Sequence, residues 1–100
     1  MGIQEIYIIC TRYDYGQYVQ TANTDRRRAV AEAERLAAFH YADGWTLTQR
    51  QIIPDAEQFD APLLGEAVPV EVFHLKSPAG DWGNVIIYRV KEIIPNTKRQ

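Results

Sequence analysis

The side chains that move protons, hold metals or attack carbonyls near neutral pH are few in this chain, and the histidines come first. There are two, His40 and His74, and neither has a His, Cys or acid at a ligand-like spacing such as four residues along a helix. Both read as structural or surface histidines. The one cysteine, Cys10, sits in an apolar strand-like run. Alone it forms no internal disulfide and no thiolate metal site, so it reads as a core residue. A hydrolytic triad would need a strained Gly-x-Ser-x-Gly turn, which is absent. Ala79-Gly80-Asp81-Trp82-Gly83 falls in a hairpin connector rather than between a strand and a helix, so it is neither a dinucleotide fingerprint nor a phosphate loop. The expectation is a non-enzyme without catalytic residues, cofactor or metal. Carboxylates brought together by folding, or a site assembled in an oligomer, are the remaining route to catalysis.

Residues suited to binding are better represented. Arg26, Arg27 and Arg28 stand where a helix should begin. Exposed amides and the macrodipole there favour negative charge, so three cations cost stability. Read functionally, guanidinium forks and free amides would converge on a phosphate or on a partner's carboxylates; read structurally, Asp25, Glu32 and solvent offset the repulsion. Arg12, Tyr13, Tyr15 and Tyr18 cluster about the first turn, a mixture found in single-strand nucleic-acid binders and in protein interfaces. Trp82, between Asp81 and Gly83, is expected as an exposed anchor in a loop. Between residues 54 and 75 lie Asp55, Glu57, Asp60, Glu66 and Glu71 with no Lys or Arg, whereas beyond residue 75 bases outnumber acids. Of these acids, Asp55, Glu57 and Asp60 join Tyr13, Tyr15, Trp82 and the three arginines as candidate partner-binding residues.

The elements that would position them follow from periodicity. Residues 4–12 alternate Ile6, Ile8 and Cys10 against Tyr7, Ile9 and Thr11, apolar on both faces as in a central strand. Asp14-Tyr15-Gly16 is turn chemistry, and residues 17–22 form a more polar second strand suited to an edge. Thr24 and Asp25 are competent N-caps, and Ala29, Val30, Ala33, Leu36, Ala37, His40 and Tyr41 then share one face of a helix over residues 25–41, stopped by Asp43-Gly44. Strands are expected over residues 45–53, 68–75 and 85–94, with 77–84 a connector, 54–67 a loop or insertion and 95–100 a flexible tail. The fold class is a single α+β domain over residues 1–100, a five-stranded mainly antiparallel sheet in ββαβββ order with one long helix on one face. A right-handed crossover through the helix would run the third strand parallel to the second, most simply beside the first.

Tyr13-Asp14-Tyr15-Gly16 at a hairpin tip, Thr24-Asp25 opening an Ala-rich helix and Trp45 opening a strand together resemble the short hairpin–helix–strand accessory proteins of phages and mobile elements. The resemblance covers about the first half of the chain. It implies no single activity, but that group includes inhibitors of bacterial defence systems, anti-CRISPR proteins among them. The layout is also similar to HicB-type antitoxins, whose Pro-Asp-Leu-Pro-Gly-Cys segment is missing here.

Composition bounds the reading. With 46% hydrophobic and 24% charged residues in 100, neither disorder nor a membrane class is favoured. The N-terminus lacks the basic start and apolar stretch of a signal peptide, so a cytoplasmic protein is expected. A net charge of −2 argues against a general nucleic-acid binder. The leading expectation is a non-enzymatic protein-binding domain, an accessory protein or inhibitor acting on a host complex through its acidic middle and loop aromatics. An anion or nucleic-acid binder using Arg26, Arg27 and Arg28 is the alternative. A homodimer is also expected, because one helix covers one sheet face and the other is apolar; Phe59, Leu63 and Leu64 folding back is the competing cover.

The arginine cluster generates a first test. Replacing Arg26→Glu, Arg27→Gln and Arg28→Ala together removes an unfavourable dipole interaction and should stabilise the protein by roughly 1 kcal/mol, a melting temperature several degrees higher. An unchanged or lower melting temperature in calorimetry would show that these arginines already have structural partners.

Overall fold

A computed structural model describes residues 2–53 and 67–94. Five strands and one helix follow in chain order: β1 Gly2–Tyr13, β2 Gly16–Asn23, α1 Arg26–Ala42, β3 Thr46–Ile52, β4 Ala67–Lys76 and β5 Trp82–Ile94. They form one sheet in the order β2-β1-β5-β4-β3, with every neighbouring pair antiparallel. The α+β class and the ββαβββ order are those the periodicity predicts. The assigned loop 54–67 and tail 95–100 lie outside the described residues except for Ala67, which opens β4.

The position of β3 differs from the expectation. It runs in the direction of β2, but at the opposite edge of the sheet rather than beside β1. Composition explains the exchange. β1 and β5, apolar on both faces, need neighbours on both sides, whereas β3 reads Thr-Leu-Thr-Gln-Arg-Gln-Ile and every one of its residues is exposed. α1 therefore links one sheet edge to the other. Its 17 residues span about 25 Å at 1.5 Å per residue, enough to cross five strands about 4.8 Å apart.

Local chemistry sets the helix ends. Asp25 is the N-cap, its Oδ1 accepting from the Arg27 amide at 2.9 Å, and Asn23 Oδ1 in turn accepts from the Asp25 amide. At the other end Gly44, with φ +88°, donates to the Tyr41 carbonyl, and Trp45 donates to that of His40. This 5→2 and 6→1 pair of bonds is a Schellman cap, which delivers Trp45 back against the last helical turn.

The helix meets the sheet through Ala29, Ala33 and Ala37, all essentially fully buried. Beneath them lie Tyr7, Ile9, Val70, Phe73, Leu75, Val85 and Ile87, with Val30, Leu36 and Trp45 packed at the margin. Tyr41, expected on the same apolar stripe, is instead exposed. Arg50 ties β3 beneath the helix. Its Nε lies 2.5 Å from Glu71 and its Nη1 3.1 Å from Glu34, while its guanidinium covers the Phe73 ring at 4.6 Å. Glu71 is thus a buried, compensated charge rather than part of an exposed acidic segment.

On the far face of the sheet, Cys10, Val72, Ile86 and Val90 are buried within a single chain. A second copy is therefore not needed to shield these four residues. Phe59, Leu63 and Leu64, proposed as an alternative cover, lie outside the described residues.

The alanine contact predicts an asymmetric response to one added side chain. Ala33→Leu should destabilise by about 1–3 kcal/mol through overpacking, whereas Ala31→Leu, on the exposed side of the same turn, should change urea stability by only a few tenths of a kcal/mol.

Candidate functional site

The first hairpin, the helix C-terminus and the connector between β4 and β5 meet at one end of the sheet. Tyr13, the last residue of β1, stands opposite Gly83 of β5. A Cβ at Gly83 would come within 2.9 Å of the Trp45 ring and 3.0 Å of the Tyr13 ring, so the missing side chain is the floor on which both aromatics rest. A Cβ at Gly44 would likewise meet Pro78 at 2.9 Å, which brings the helix cap against the connector.

Tyr13 is held from three sides. His40 Nδ1 lies 2.8 Å from the Leu36 carbonyl, which can only accept, so this nitrogen carries the proton. Its other nitrogen, Nε2, lies 2.6 Å from the Tyr13 hydroxyl, which can donate to it. Trp45 meets His40 edge-on at 5.3 Å and lies 6.0 Å from Tyr13. Through its two nitrogens the imidazole ties the end of β1 to the last turns of the helix, and the arrangement acts as a brace. Burial raises the Tyr13 phenol above its ordinary 10.0.

On this brace stands a ladder. Tyr15 stacks on Tyr13 at 5.1 Å with ring planes 14° apart, and Tyr18 follows at 6.2 Å. Tyr15 is 72% exposed and Tyr18 46% exposed, so two aromatic faces point to solvent from a fixed support. Three turn carboxylates, Asp14, Asp43 and Asp81, surround the same end and are all exposed.

The other candidates do not join this cluster. Trp82 is not in a loop: it opens β5 and faces away from the helix, with the Arg12 guanidinium 5.9 Å from its ring. Arg26, Arg27 and Arg28 lie at the opposite end of α1, where consecutive helical residues fan out by about 100°. The Arg27 amide is taken by Asp25, and Arg28 lies 3.9 Å from the same carboxylate. Arg28 instead shares a shallow groove of about 440 Å³ with Arg35, Thr21 and Asn23, where Glu32 neutralises Arg35. Asp55, Glu57 and Asp60 lie outside the described residues.

Sequence reasoning passed over His40, Trp45 and Gly83 as members of a site. Trp45 and His40 were detectable, since the residue after a Gly-capped helix commonly packs on the last turn. Gly83 was detectable as a glycine inside a strand pattern. Among the described residues no three His, Cys, Asp or Glu side chains are grouped to hold a metal, and no helix is long and apolar enough to cross a membrane. No family model, curated protein or solved structure matches the chain.

The half-buried phenol predicts an alkaline dependence. Because folded Tyr13 keeps its proton to higher pH than the unfolded chain does, its contribution is complete below about pH 10 and is lost as pH rises through the folded pKa. Tyr13→Phe should lower stability at pH 8 by roughly 1 kcal/mol through the lost hydrogen bond to His40. Above pH 10 the variant's melting temperature should approach that of the parent. A gap of constant size across that range would contradict the burial of the phenol.

Proposed function

We propose that this chain is a small non-enzymatic protein-binding domain whose contact surface is the tyrosine ladder at the hairpin tip. One observation carries the reading: Tyr15 and Tyr18 are exposed aromatics mounted on a half-buried Tyr13–His40–Trp45 support. Rigid aromatics lose little conformational freedom on binding and dominate the energetics of interfaces. The ring of Asp14, Asp43 and Asp81 suits a partner that presents Lys or Arg around an apolar centre. The resemblance of the first half of the chain to phage and mobile-element accessory proteins agrees with a partner drawn from a host complex, and with an inhibitor as the outcome.

The test is a comparison of captures from the source cell. The parent protein should retain a discrete basic partner that the Tyr15→Ser, Tyr18→Ser double variant loses by tenfold or more, about 1.4 kcal/mol or greater. The variant's melting temperature should stay within a few degrees, since both side chains are exposed. Retention of the same partner by the double variant, with loss upon the Arg26→Gln, Arg27→Gln, Arg28→Gln variant, would move the site to the helix N-terminus.

A further inference from the structure

The face of the sheet away from the helix changes character abruptly at one end. Val19, Cys10, Ile86 and Val72 form a cross-strand row on β2, β1, β5 and β4, and the last three are buried. The next row on the same face, two residues along each strand, is Gln17, Arg12, Asn84, His74 and Gln49, one residue from each of the five strands. All five are polar and none is an acid. Beyond them Trp82 pairs with Lys76 at the end of β5 and β4, the indole 45% exposed beside the Arg12 guanidinium. Among the described side chains, no strand residue on this face is Asp or Glu; Glu5 and Glu71 fall on the helix side, and Glu32 and Glu34 on the helix itself.

We propose that this polar row, with Trp82 and Lys76, is a platform for single-stranded nucleic acid. Three features point to that occupant. The row crosses the whole sheet, about 19 Å at 4.8 Å per strand, and is open to an extended chain. Arg12 and Lys76 supply cations for phosphates, and Trp82 supplies a face on which a base stacks. The amides of Gln17, Gln49 and Asn84 offer donors and acceptors together, as unpaired base edges require. A protein partner would want apolar surface at the centre of its contact, and three of the four residues in the apolar row beside this one, Cys10, Ile86 and Val72, are already buried. The carboxylates of Glu5, Glu32, Glu34 and Glu71 lie on the other side of the sheet, and those of Asp14, Asp43 and Asp81 in the turns at its end, so none stands within the row itself. This surface is distinct from the tyrosine ladder, and the proposal stands independently of the protein-binding reading.

The experiment is fluorescence anisotropy with labelled single-stranded RNA and DNA of mixed sequence, roughly a dozen nucleotides long, at about 50 mM salt. Binding is expected at micromolar concentration, with a slope of log affinity on log salt near −1.4 for two phosphate contacts. Trp82→Leu should weaken binding at least about fivefold through lost stacking. Lys76→Gln and Gln49→Ala, at exposed positions where folding is not at risk, should each weaken it measurably. The Tyr15→Ser, Tyr18→Ser variant and the Arg26→Gln, Arg27→Gln, Arg28→Gln variant should bind as the parent does. Absence of binding up to about 100 μM, five decades weaker than typical specific complexes, would overturn the proposal. So would loss of binding only in the triple arginine variant, or equal competition by polyglutamate, which would identify a site for acidic peptide.

Discussion

The structure depends on how closely α1 approaches the sheet. Ala29, Ala33 and Ala37 stack one turn apart with nothing beyond Cβ, so the helix axis sits low over β1 and β5. The larger side chains of the contact, Ile9, Phe73, Leu75 and Ile87, come from the strands. Low seating brings the last helical turn level with the end of β1, where His40 reaches the Tyr13 hydroxyl. It also places Glu34 within reach of Arg50, and so of the outermost strand. A helix with leucines at these positions would ride higher, and both contacts would be lost together.

Much of the fold was legible because it rests on periods and caps. The two-sided apolar runs of β1 and β5 and the three- and four-residue spacing of the alanines leave few alternatives for those elements. Asp25 and Gly44 mark the helix ends in residue types that do little else so well. What was not legible was which strand neighbours which, since the local pattern of β3 is compatible with any edge. Likewise Trp82 sits in a run of turn-forming residues, yet strand pairing with Lys76 claims it. Pairing is decided by the whole sheet, and local propensity does not carry it.

The candidate sites divide along the same line. Tyr13 and Tyr15 were recognisable as neighbours because two residues at a turn are near each other in any fold. The contributions of His40, Trp45 and Gly83 come from α1, the cap and β5, and meet Tyr13 only through tertiary structure. The polar row of the far face is more hidden still, because its five members are scattered from Arg12 to Asn84 and only the cross-strand register aligns them. Arg26, Arg27 and Arg28 illustrate the converse, since adjacency along a helix separates side chains around its circumference.

The pairing of β1 with β5 also governs how the molecule is assembled in time. Their register runs from Tyr13 opposite Gly83 to Gly2 opposite Ile94, so the longest ladder joins strands separated by nearly the whole described chain. Closing such a loop costs more chain entropy than forming the neighbouring hairpin, and proteins dominated by non-local strand pairs fold slowly for that reason. During synthesis β1 leaves the ribosome first of these strands, with β2 as its only early companion. Until β5 emerges, one long edge of a doubly apolar strand stays open to any other chain that offers a strand. The interval between those two events is the period in which a chaperone or a nascent neighbour has most influence on the yield of folded protein.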